Sequence, residues 1–218
     1  MKDKDINEAV SMLKEAVKEW DTPAVTIVSQ RERDPFKVLI SCILSLRTQD
    51  KTTGAASARL FALAGDPARM VHLPLEVIEK AIYPVGFYRI KAAQILEICR
   101  VLLEKHDGRV PDEIDELLRF KGVGRKTANL VVTLGFGKPG ICVDTHVHRI
   151  CNRWGYVRTK SPAETECALR GKLPRDYWLI INDLLVTFGQ NQCFPVSPRC
   201  STCPLFHLCD RAGVVKSR

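Results

Sequence analysis

RFKGVGRKTANLVVTLGFG, residues 119–137, is the stretch on which the reading of this chain turns. Gly122 and Gly124 flank Val123, and two adjacent cations, Arg125 and Lys126, then lead into an apolar run. Glycines permit a tight turn, and such a turn ahead of a helix delivers backbone N–H groups to the helix N-terminus, where an oxyanion is attracted. Glycine also lets main chain approach a ligand closely, so a nucleic-acid phosphate could be gripped here without any reading of base sequence. A Walker loop needs glycine directly before its lysine, but Arg125 stands there. A dinucleotide fingerprint needs a further small residue and a preceding strand, but Thr127 follows and the flank reads helical. ATP and NAD binding are therefore disfavoured. Taken alone, the motif leaves open an ordinary helix-to-helix turn with Arg125 and Lys126 solvated.

Outward from this stretch the chain keeps a helical period. Ile6, Val10, Leu13, Val17 and Trp20 recur at steps of three and four, which predicts an amphipathic helix ended by Thr22 and Pro23. Further helices are expected at 35–46, 51–64, 75–82, 88–106, 112–119, 125–134, 145–154, 162–171 and 175–188, with breaks at Asp66–Pro67, Pro84–Gly86, Asp107–Pro111 and Leu173–Arg175. No stretch alternates strictly enough for a strand. The fold class is all-α, and GFGKPG at 135–140 reads as the linker between two helical lobes.

The bulk numbers suit a globular chain with a polyanionic partner. Its 218 residues are 45% hydrophobic, enough to bury a core, and 33 Lys and Arg against 25 Asp and Glu leave a formal charge of +8. The opening MKDKDINEAV lacks the apolar core of a secretory signal, and apolar runs such as KVLISCILSL fall short of the about 20 residues that cross a bilayer. The expectation is a soluble cytoplasmic protein with no membrane contact, nucleoid-associated if prokaryotic, and a monomer.

In that compartment nine cysteines are free, catalytic or metal-bound rather than paired. Cys193, Cys200, Cys203 and Cys209 follow the spacing Cys-x6-Cys-x2-Cys-x5-Cys, with Pro195, Pro198 and Pro204 between them. This is an irregular loop in which four thiolates could converge on one centre. Zinc usually takes two Cys-x2-Cys pairs or a mixed Cys/His set, so the pattern suits a [4Fe-4S] cluster better; zinc stays open, with His207 a spare ligand. Cys42, Cys99, Cys142, Cys151 and Cys167 stand singly among apolar neighbours and read as small buried hydrophobes.

KGVGRKTAN, then VDTHVHRICNR, then the four-cysteine loop, in this order and spacing, resemble the endonuclease III family of helix-hairpin-helix DNA glycosylases over nearly the whole chain. The resemblance implies a six-helix barrel lobe with the hairpin at 24–134. It implies a discontinuous lobe of 1–23 and 135–218 carrying a [4Fe-4S] cluster in 193–209, and a DNA-binding cleft between the two. It implies a bifunctional DNA glycosylase and AP lyase acting on double-stranded DNA with damaged bases or abasic sites, removing oxidised pyrimidines and nicking the strand by β-elimination.

The family's lysine matches Lys126, whose amine would attack the sugar C1′ and form a Schiff base. That needs a neutral amine; a helix N-terminus and Arg125 both oppose positive charge there, and partial burial would push the same way. The family's aspartate matches Asp144. Read alone it is a helix N-cap; as the carboxylate it would stabilise the cationic sugar or take a proton from Lys126, and capping and catalysis can coexist. His146 and His148, two apart on a helix, do not share a face, so they make no metal pair.

A flipped base leaves a gap in the stack that side chains fill. The position matching the family's glutamine in LSLRTQD holds Arg47, with Gln49 two residues on, and Phe87 of VGFYRIKA could plug from a second loop or be a core aromatic. The expected DNA contacts are thus Gly122, Val123, Gly124, Arg125, Arg47, Gln49 and Phe87. Phe120 and Lys121 also depart from the family's usual Leu and Pro. Two rival readings are a monofunctional adenine or mismatch glycosylase, which generally lacks a lysine at this place, and a non-catalytic DNA-binding module, which leaves Lys126 and Asp144 without a purpose.

Overall fold

The structure is a computed structural model that describes residues 1–20 and 24–218. The helices are α1 (Ile6–Ala16), α2 (Ala24–Glu32), α3 (Pro35–Ser45), α4 (Asp50–Leu63), α5 (Pro67–Met70), α6 (Leu75–Ile82), α7 (Tyr88–Lys105), α8 (Ile114–Leu117), α9 (Arg125–Leu130), α10 (Thr145–Arg153), α11 (Pro162–Lys172) and α12 (Ile181–Asn191). Among the described residues there is no strand, and no helix is long and apolar enough to cross a membrane. The chain divides into two compact units, Ala24–Gly140 and Met1–Pro23 with Ile141–Arg218. The division follows the last glycine of GFGKPG rather than its first.

In the unit Ala24–Gly140, α3 is the hub. Asp34 caps it, accepting from the Phe36 N–H at 2.9 Å and the Lys37 N–H at 3.3 Å, and Pro35 occupies the first helical position, where a missing N–H costs nothing. Phe36 and Val38 to Leu44 are all buried. A helix apolar all round belongs inside, and α3 touches α2, α4, α7 and α9. Each Leu or Ile so buried contributes about 1.5–3 kcal/mol.

The unit Met1–Pro23 with Ile141–Arg218 packs α1, α10, α11 and α12 around Leu13, Ile150, Trp154, Tyr156, Leu185 and Phe188. Inside it the Trp178 indole donates to the Leu173 carbonyl at 2.9 Å and the Asn182 amide to the Cys142 carbonyl at 3.2 Å, which satisfies groups that burial would otherwise penalise.

Several expected helices differ from those found. The predicted 175–188 helix is a 3₁₀ turn, Arg175–Tyr177, followed by α12. Pro174 starts the turn and the Trp178 indole bond to Leu173 draws the chain away from a continuous helix. The predicted 112–119 helix shrinks to the single turn α8, in which only Leu117 is buried. The 125–134 helix is α-helical to Leu130 and then widens into a π-helical segment, Val131–Gly135. There the Thr133 hydroxyl donates back to the Asn129 carbonyl at 2.8 Å, and Gly135 lies close against Pro35.

Asp66 and Pro67, taken as a break, are the cap and first residue of α5. The sequence gives no sign of α2, because its buried face includes Thr26 and Ser29. The expected end of the first helix at Thr22 and Pro23 lies outside the described residues, and the last helical residue before it is Glu19, in a 3₁₀ turn.

Since α3 is the hub and Asp34 satisfies two of its first N–H groups, Asp34→Ala should lower unfolding free energy by about 1 kcal/mol, measured as a shift in the urea midpoint with the slope unchanged.

Candidate functional site

The glycine hairpin runs from α8 into α9. Gly122 has φ +77, the left-handed region that disfavours other residues, and a Cβ there would meet the Gln94 side-chain nitrogen of α7. Gln94 donates that N–H to the Lys121 carbonyl at 2.8 Å and so braces the turn. Gly124 is different. It is the N-cap of α9 in an extended conformation, and a Cβ built on it meets nothing within 4 Å. The fold therefore requires glycine at 122 but not at 124, where the space is open among the described residues.

Val123, expected among the DNA contacts, is committed inward: its side chain is buried and its N–H closes the turn onto the Phe120 carbonyl at 3.0 Å. What it can offer a ligand is therefore main chain rather than side chain. Phe120 is buried as well, its ring 5.6 Å from that of His106, so the departure from Leu at this place is a packing choice. Gly124, Arg125 and Lys126 are exposed. The charge of Lys126 reaches inward as well, acting on the buried Cys42 thiol of α3.

The two loops expected to fill the stack are neighbours in the unit Ala24–Gly140. Arg47 and Phe87 are both exposed, both have positive φ (53 and 59), and the Arg47 guanidinium lies over the Phe87 ring, 5.7 Å from its centre. Phe87 is thus no core aromatic. It is 57% exposed at the N-cap of α7, beside Tyr83 at 60% and Ile90 at 67%. Gln49 caps α4 through its backbone and is also exposed.

In the other unit Asp144 is the N-cap of α10 and is buried, its carboxylate accepting from the His146 N–H at 2.8 Å and the Val147 N–H at 2.9 Å. The capping role is therefore real. His146 and His148 turn to different partners, Arg149 at 3.1 Å and Thr165 at 2.7 Å.

The opposite end of α10 meets the cysteine loop. Arg153 donates to the carbonyls of Phe194 at 2.5 Å and Pro195 at 2.6 Å and lies 3.4 Å from the Cys193 sulfur. Arg149 donates to the Cys193 carbonyl at 2.9 Å. Cys193, Cys200, Cys203 and Cys209 all line one small cavity.

Burial pushes the Cys203 thiol up to about 11 and raises Cys209, and the other loop cysteines add to both. Thiols gathered this way need a cationic centre to be held as thiolates, which is what a metal cluster provides. Among the described residues no group of three or more His, Cys, Asp or Glu is already arranged to hold a metal ion. The four sulfurs share a cavity, which is the part of the arrangement that fits. His207 turns to Glu8 at 3.3 Å and does not line the cavity.

A glycine hairpin ahead of a lysine, a capping aspartate and a four-cysteine loop on an all-helical chain define a class. The chain belongs to the HhH-GPD superfamily of base excision DNA repair proteins, whose family model matches residues 40–175. Within that class it is similar to the endonuclease III of Thermotoga maritima, 49% identical over 182 residues that cover 84% of this chain and 85% of the relative. The endonuclease III of Escherichia coli K12 is 38% identical over 81% of this chain and 83% of its own length. Among solved structures, an endonuclease III in a non-covalent complex with DNA has TM-score 0.84 and 35% identity, covering 97% of this chain and 96% of that one. A trapped covalent endonuclease III–DNA intermediate gives the same TM-score and identity, with 97% of each chain covered.

Sequence reasoning passed over Gln94, Thr48, Lys91, Arg149 and Arg153. The arginines had a signal, two cations one turn apart on the helix that follows VDTH. The other three had none, since a lone polar residue on a helix, as Lys91 and Gln94 are, or in a loop, as Thr48 is, reads as solvated.

The contrast between the glycines is testable. Gly122→Ala should cost about 1–2 kcal/mol from its left-handed backbone alone, whereas Gly124→Ala should cost under about 1 kcal/mol, a poorer cap being offset by a less flexible unfolded chain. Paired denaturant titrations read both.

Proposed function

We propose that this protein is a bifunctional DNA glycosylase and AP lyase of base excision repair, with Lys126 as its nucleophile and oxidised pyrimidines in duplex DNA as its substrates. The observation that carries the reading is an exposed lysine in the first turn of α9, directly after a hairpin whose second glycine the fold does not need. The relationship to endonuclease III supports it, and one relative is known as a covalent intermediate with DNA.

The Lys126 amine bonds to C1′ of the extruded sugar as the glycosidic bond breaks, and the bonding pair leaves with the base. The nitrogen lone pair then forms C1′=N as the C1′–O4′ bond breaks, its pair going to O4′, which takes up a proton; removal of a C2′ proton forms C2′=C3′ and breaks the C3′–O bond, expelling the 3′ phosphate. Asp144 supplies the carboxylate, as stabiliser of the cationic sugar or acceptor of the amine's proton. Its two cap bonds fix that carboxylate at the start of α10. The outward surface of the hairpin at Gly122, Gly124 and Arg125 takes the phosphates, and Arg47, Gln49 and Phe87 take the space of the flipped base. All of these groups lie on one chain, so a monomer suffices.

Cys193, Cys200, Cys203 and Cys209 hold a [4Fe-4S] cluster, which cross-links an irregular loop without a large core of its own. His207, directed to Glu8, is not needed.

With duplex DNA carrying an oxidised pyrimidine, borohydride should trap a covalent adduct of the wild-type chain; Lys126→Ala should still bind the damaged duplex yet give no adduct and no strand nicking. Equal cleavage by that variant would end the proposal. As isolated, the protein should carry about four iron and four acid-labile sulfide per chain, and Cys203→Ser should lose both together with thermal stability. Stoichiometric zinc would overturn the cluster assignment.

A further inference from the structure

Lys91 is 5% exposed in the unit Ala24–Gly140, although lysine is seldom buried without a reason. Its ammonium donates to the Leu44 carbonyl at 2.9 Å, the Leu46 carbonyl at 2.5 Å and the Thr48 hydroxyl at 3.2 Å. Three donors meet three neutral acceptors, which exhausts what the group can give. The two carbonyls belong to the C-terminal end of α3, where a cation is favoured. Burial lowers Lys91 to about 8, which leaves the ammonium as the main form at neutral pH.

The Thr48 hydroxyl is shared. It also accepts from the Gly86 N–H at 3.1 Å, so a continuous chain of hydrogen bonds runs from Lys91 through the 46–49 loop to the 83–87 loop. The loops touch at backbone level too: a Cβ on Gly86 would lie 2.6 Å from the Arg47 carbonyl oxygen. Arg47 and Phe87, on either side of this seam, both keep a left-handed backbone. Such conformations persist only where the surroundings over-determine them.

We propose that Lys91 is a positioning residue for base extrusion, fastening the 46–49 and 83–87 loops into one rigid plug so that Arg47 and Phe87 enter the DNA stack together. The proposal rests on the reading of Arg47 and Phe87 as the residues that fill the gap. A purely structural lysine would weaken every activity alike, whereas a positioning residue weakens the step that opens the stack.

The test uses the full chain and two measurements. The first is the fluorescence rise of 2-aminopurine opposite an oxidised pyrimidine in duplex DNA, which reports unstacking. The second is the rate of borohydride trapping at a preformed abasic site in single-stranded DNA, where no stack has to open. Lys91→Met should slow the fluorescence rise about tenfold or more, equivalent to about 1.4 kcal/mol of the few that unstacking requires, and leave trapping within about twofold of wild type. Lys91→Arg, which keeps the charge, should restore most of the rise.

An unchanged rise in Lys91→Met, or equal loss in both measurements, overturns the proposal. Should Lys91→Met lack a cooperative thermal transition, Thr48→Val decides, since it removes only the shared hydroxyl: a selective slowing supports the proposal and a wild-type rise overturns it. The paired variant Arg47→Ala/Phe87→Ala separates the two layers of the argument. If it leaves the rise intact, the gap-filling reading itself falls; if it abolishes the rise while Lys91→Met does not, only the fastening role falls.

Discussion

Lys91 and Gln94 lie three residues apart on one face of α7, and Phe87 is the N-cap of the same helix. That cap is an exposed aromatic over which Arg47 lies. Further along, Lys91 ties off the end of α3 and the loop after it, and Gln94 braces the Lys121 carbonyl of the glycine hairpin. Three features that are far apart in sequence are therefore set against a single rigid element. Helices hold such groups more closely than loops do, because each backbone group is already bonded within the helix. The hub helix α3 then matters for a second reason: α7 packs on it, and its own C-terminal end is what Lys91 grips.

A comparable arrangement governs the other unit. α10 begins at the Asp144 cap and ends at Arg153, and the two arginines on it donate to three carbonyls of the cysteine loop. A proline-broken loop leaves carbonyls that no ladder satisfies, and guanidinium groups with several donors suit them. Whatever stiffens the cysteine loop therefore stiffens the helix whose first residue is Asp144.

Much of this was legible in the residues and some was not. The hairpin and the cysteine loop stand out because turn chemistry and ligand spacing are local, whereas Lys126 and Asp144 were singled out by the family resemblance, Asp144 alone reading as a helix cap. The all-α class followed from periodicity, which fails where buried faces are polar, as at Thr26 and Ser29 of α2, or where a side chain diverts the backbone, as Trp178 does. Lys91 was unreadable for a plain reason: a lysine on a helix is nearly always solvated, and only its tertiary partners distinguish this one. The meeting of Arg47 with Phe87 is likewise a fact about two loops, absent from either alone.

The two glycines of the hairpin bear different constraints that a sequence writes with one letter. Gly122 answers to the chain itself, through its backbone angle and the nearness of Gln94. Gly124 has no such neighbour within 4 Å among the described residues, so nothing in the packing dictates its small size. Lys126 stands two residues beyond that open side and is exposed. Both glycines lead into the first turn of α9, where Arg125 and Lys126 stand side by side at a helix end whose field falls off within a turn.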